Sequence, residues 1–239
     1  MPPPTLLPSL ARAVRGLSAL FWGLPLALFL TANLALGIPT PGHVPAFQGI
    51  LGSLTSTFSA SLPTLLAHGL LLYGLTLLRG FQPQERIWTA AIERARVLAA
   101  LNLALVPFSF WFSRRPQEPL FSQTFLISLF TALFFLAALN HLLRRLAAML
   151  PDETLRADTR LFAALNIRIL FMLAFLLALM LFISQSREMI ELAGPVLGTL
   201  ARLEPWFLLA PGLIPVALTM TMLWKTKEVI VTSVFGAPQ

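Results

Sequence analysis

The chain has no cysteine, a single tyrosine and only two lysines, Lys225 and Lys227, among its 17 basic residues. The missing thiols exclude disulfide frameworks, thiol nucleophiles and thiolate metal sites. Charge is scarce as well. Asp, Glu, Lys and Arg make up 11% of 239 residues, against about 25% in an ordinary soluble domain. Hydrophobic residues reach 57% and the mean hydropathy is +0.80. So few charges cannot cover a water-facing surface. A soluble enzyme, a disordered chain and a nucleic-acid-binding domain are thereby excluded, and a polytopic membrane protein remains.

Other absences narrow the chemistry. There is no Gly-x-x-x-x-Gly-Lys loop, no His-Glu-x-x-His and no Gly-x-Ser-x-Gly elbow. No apolar segment carries Asp or Glu in its interior, so ion coupling through a carboxylate has no obvious residue. These absences weaken enzymes and ion-coupled pumps more than accessory subunits. No catalytic residue, cofactor or metal is expected.

What is present is long apolar sequence. A membrane span needs about 20 mostly apolar residues. Six segments qualify, at 17–36, 59–78, 97–112, 120–143, 167–184 and 206–224. The expected fold is an all-α, six-helix transmembrane bundle forming one domain. Arg168 stands at the edge of the fifth segment, within snorkelling reach of the interface.

The basic residues orient the bundle. With the N-terminus in the cytoplasm, 13 of the 17 fall inside, and only Arg114, Arg115, Arg187 and Arg202 fall outside. The pI of 11.4 therefore reflects orientation, and no nucleic-acid partner is expected. Both termini are expected in the cytoplasm. The preference for Arg over Lys, with abundant Leu and Ala, suggests a GC-rich bacterium and its inner membrane. Trp111 and Trp206 fall at outer span ends, Trp88 and Trp224 near the inner boundary, where indole rings prefer to sit. The first segment could alternatively be a signal peptide cleaved near Ala35-Leu36-Gly37, but its apolar run exceeds the usual length.

The connections are short. Residues 38–49 form an uncharged, Pro-containing outer loop, and 53–61 are either a re-entrant turn or the polar start of a helix. Pro83 and the Pro151-Asp152-Glu153-Thr154 run should each open a helix that begins below the membrane. Residues 185–205 should lie along the outer surface or dock a partner. Pro211, Gly212 and Pro215 mark the sixth segment as a candidate broken helix, a feature that can accompany transport. The runs 96–102 and 160–166 are alike, which suggests either a duplication or coincidence in a Leu- and Ala-rich chain.

The uncharged polar residues carry the remaining information. Tyr73, Asn102, Asn140, His141, Asn166, Thr219 and Thr221 fall at similar depth in the cytoplasmic half. They form either an interhelical hydrogen-bond network or a polar vestibule open to the cytoplasm. His68 lies near mid-membrane, without a His-x-x-x-His or carboxylate partner.

The expected function is that of a non-enzymatic accessory, assembly or scaffolding subunit. It would contact the lipid bilayer and either a second copy or a partner in a membrane complex. The alternative is a small-solute transporter or channel using the polar layer. A weaker third reading is a lipid-modifying enzyme with His68 or His141 as base.

Overall fold

The computed structural model describes residues 6–37, 50–82, 84–185 and 205–235. They form six helices: α1 Leu6–Ala35, α2 Ile50–Arg79, α3 Arg86–Arg114, α4 Pro119–Met149, α5 Glu153–Gln185 and α6 Pro205–Phe235. No strand occurs among the described residues. The architecture is the all-α membrane bundle expected. Helices α1 to α5 are each long and apolar enough to cross a membrane. The described part of α6 carries Lys225, Lys227 and Glu228 at its end.

Each helix packs on its neighbours in sequence, and α6 closes the ring against α1. Further contacts join α4 to α6 and α1 to α3. The short connections between helices make this up-and-down order the simplest one. At one end lie Arg12, Arg79, Arg94, Arg96, Arg144, Arg145 and Lys225; we call this the basic end. At the other, Gly37 packs near Ser113 and closes α1 with φ +67°, a conformation natural to glycine.

The core is concentrated in the basic half. In α3, Trp88, Ala91, Ile92, Ala95 and Ala99 are buried at helical spacing, while Arg86 and Arg94 point outward. They meet Leu17 and Leu20 of α1, Leu75 and Leu78 of α2 and Leu139, Leu142, Leu143 and Leu146 of α4 in one cluster. Glu93 links α3 to Arg79 of α2 at 3.2 Å, and Asp158 of α5 meets Lys225 of α6 at 2.6 Å. These pairs are partly exposed, so each contributes only about 0.2–1 kcal/mol. They set register more than stability.

Of the two readings of segment 53–61, the helical one holds: it is part of the continuous helix α2. Other expectations shift. The sixth helix is not broken: its backbone stays helical through positions 211 and 215. Helix α3 begins at Arg86, not at Pro83, which lies outside the described residues with the loop 38–49 and most of 185–205. Trp88 does not anchor at the interface. It is fully buried, edge-on to Phe81 at 6.0 Å, because the basic end has a packed core of its own. Trp224 is half exposed beneath Lys227, as an interfacial ring should be.

Candidate functional site

Of the expected polar layer, three residues converge. Asn140 on α4, Asn166 on α5 and Thr219 on α6 are completely buried and mutually bonded. Asn166 Nδ2 lies 3.0 Å from Asn140 Oδ1, 2.9 Å from Thr219 Oγ1 and 3.0 Å from the Pro215 carbonyl oxygen, so its two N–H groups are shared among three acceptors. Asn140 Nδ2 donates to Thr219 Oγ1 at 3.0 Å and to the Leu136 carbonyl at 2.7 Å. Thr219 Oγ1 donates in turn to the Pro215 carbonyl at 2.7 Å. Every polar atom of Asn140 and Thr219 is thus used.

Only Asn166 Oδ1 has no partner among the described residues. Reversing that amide would set its oxygen against the Asn140 and Pro215 oxygens, so the nitrogen faces them. The three side chains form a closed knot joining α4, α5 and α6. Asn102 makes a separate link. Its Oδ1 accepts from Thr131 Oγ1 of α4 at 2.9 Å, and its Nδ2 donates to the Leu98 carbonyl at 2.9 Å.

The other members of the layer lie elsewhere. Tyr73 is 56% exposed on the outer face of α2. Thr221 is exposed on α6 and bonds back to the Ala217 carbonyl. Both share the depth of the knot but not its helical phase, so they do not belong to a buried layer. His141 is half-buried at the basic end among Arg94, Arg144 and Arg145.

His68 lines a different feature. A partly open cavity of about 530 Å³ lies in the half of the bundle away from the basic end. Its wall includes Leu28, Ala32, Leu129, Ala132 and Phe135, with polar groups from Thr31, His68, Asn102, Ser109 and Ser128. No charged residue lines it among the described residues. Its size and apolar wall suit an apolar molecule.

No family model, curated protein or solved structure matches the chain. Function must therefore be read from its own geometry.

The third feature is the outer face of α5. Its buried residues, Leu155, Thr159, Ala163, Asn166 and Leu170, form one narrow stripe. On the other side Leu161, Leu165, Arg168, Met172, Phe175, Leu179 and Phe182 follow one another three or four residues apart, all exposed. Ile167, Phe171 and Leu176 are exposed beside them, so α5 presents a broad apolar face. Arg168 sits within it, without hydrogen-bond or ion-pair partners among the described residues. The apolar run of α5 begins at Leu161, so Arg168 lies seven residues, about 10 Å of helix, inside it. No cluster of His, Cys, Asp or Glu able to hold a metal occurs among the described residues.

Proposed function

We propose that the chain is a non-enzymatic subunit of a heteromeric membrane assembly, docked to its partner through α5. The observation that supports this is Arg168, exposed on the apolar face of α5 and without a polar partner among the described residues. Cations within spans are rare and almost always find a partner. The partner inferred here is a transmembrane helix with an Asp or Glu at matching depth.

A second copy is a poor candidate. A symmetric pair formed through this face would bring two Arg168 side chains together. No span of this chain carries an acidic residue in its interior to relieve them. We place the chain in a bacterial inner membrane with the basic end and both termini in the cytoplasm, on the strength of the charge distribution. A polar solute path lacks a comparable observation, since Asn140, Asn166 and Thr219 are packed shut. The lipid-enzyme reading finds no carboxylate bonded to His68, and His141 stands among arginines.

The test is site-specific photo-crosslinking in cells at Phe175 on α5, with Phe134 on the exposed face of α4 as control. A discrete adduct with a different polypeptide is expected from Phe175 only, and it should disappear in Arg168→Leu. Adducts between two tagged copies of this chain, or lipid adducts alone from a monomeric protein, would overturn the proposal.

A further inference from the structure

We infer that the cavity is a binding site for a neutral lipid alcohol, an uncharged apolar chain bearing a hydroxyl group. This inference is independent of the docking role of α5. The size, about 530 Å³, lies within the range of sites that enclose small molecules. The described lining is apolar apart from a few separated polar groups and carries no charge, which disfavours phosphate or carboxylate headgroups.

One polar group selects the ligand. His68 Nδ1 lies 2.9 Å from the Thr64 carbonyl. A carbonyl can only accept, so Nδ1 carries the proton, and in the neutral ring Nε2 is a bare acceptor. No described residue donates to it. An acceptor in an apolar wall calls for a donor on the ligand, which a hydroxyl supplies and an ether or ketone does not.

Thr31 does not add a second. Thr124, Thr219, Thr221 and Thr226 each turn the hydroxyl back onto the carbonyl four residues earlier. Thr31 does not: its Oγ1 is buried and has no partner among the described residues. The residue stands in the wall of the same cavity on α1, but this oxygen is closed off from the cavity space.

The test uses the purified full chain in nanodiscs and three photoactivatable probes of one chain length: a primary alcohol, its methyl ether and the carboxylate. The alcohol should label cavity peptides of α3 and α4 saturably, about fivefold to tenfold better than the ether, the effect of one hydrogen bond. The carboxylate should label more weakly than the alcohol. His68→Phe should erase the advantage of alcohol over ether while preserving ether labelling. Ala132→Phe should fill the space and remove both signals. Equal labelling by alcohol and ether in the unmodified chain, unsaturable labelling, or labelling that survives Ala132→Phe would each overturn the inference.

Discussion

Gly16 of α1 and Gly74 of α2 lie backbone against backbone. A Cβ built on Gly16 would come within 2.8 Å of the Gly74 carbonyl oxygen, and one on Gly74 within 2.9 Å of the Gly16 oxygen. Lipid tails are as apolar as leucine, so membrane helices associate through close packing and polar contacts instead of through release of water. Two glycines at the crossing permit the closest approach. Gly74→Ala is therefore expected to force α1 and α2 apart and to cost about 1–3 kcal/mol. Gly69 on α2 is the control, because a Cβ there meets nothing within 4 Å. Gly69→Ala should be neutral or stabilising. Denaturation in mixed micelles would compare the two; equal losses would remove the claim that the crossing depends on Gly74.

The knot of Asn140, Asn166 and Thr219 should be worth less than its three interhelical side-chain bonds suggest. Hydrogen bonds between membrane helices average about 0.6 kcal/mol, because the separated helices also find partners. Asn140 and Thr219 would keep their bonds to the Leu136 and Pro215 carbonyls after Asn166 is lost. Asn166→Leu should consequently cost about 1–2 kcal/mol. Asn166→Asp introduces a buried charge without a cation in the knot and should be worse by several kcal/mol. The same denaturation assay checks this, and a milder effect of Asp than of Leu would contradict it.

Much of this arrangement was legible in the sequence. The apolar runs gave the helices, but the buried stripe of Trp88, Ala91, Ile92, Ala95 and Ala99 went unread, and Trp88 was placed at the interface. Depth, counted from span ends, brought Asn140, Asn166 and Thr219 to one level. Depth says nothing of rotation about the helix axis, and a Leu- and Ala-rich helix has little polar patterning to supply it. Tyr73 and Thr221 were therefore grouped with residues they do not meet. The cavity was hidden for a different reason. A void arises where small side chains such as Ala27, Ala32, Ala99 and Ala132 face one another from different helices, and no single segment records that.

Trp88 packs as a pure hydrophobe. Its ring is fully buried and Nε1 has no partner among the described residues. Trp88→Phe loses some volume but no hydrogen bond, and it relieves a buried unpaired donor. Trp88→Ala leaves a large hole and should cost about 3–5 kcal/mol. A smaller loss for Phe than for Ala, measured by thermal unfolding, is the expected order. If Phe were as damaging as Ala, the indole nitrogen would have to bind something that these contacts do not include.

Orientation can be read directly with topology reporters. Fusions after Arg79, Arg145 and Lys227 should report the cytoplasm, and those after Leu36, Phe112 and Ser184 the opposite side. The reason is electrostatic: short loops rich in Arg and Lys stay on the cytoplasmic side during insertion. A reversed pair would contradict the assignment of the basic end to the cytoplasm.

Asp152 holds the start of α5. Its Oδ1 accepts from Thr154 Oγ1 at 2.6 Å and from the Leu155 backbone N–H at 2.9 Å, so the carboxylate caps the helix. The Thr154 hydroxyl foremost, and then the Leu155 amide, hold its pKa below the usual carboxylate value. A group with a lowered folded pKa stabilises the fold above its unfolded pKa, near 4, and that contribution fades as pH falls through the folded value. The first turn of α5 should therefore be equally protected from hydrogen exchange across neutral pH and should fray in acid. Asp152→Asn keeps an acceptor and removes the titration, so its protection should not depend on this carboxyl. Asp152→Ala should fray at every pH. Amide exchange at Leu155 in the three proteins separates these cases, and equal protection in Ala and Asp at neutral pH would show that the cap does not hold the helix end.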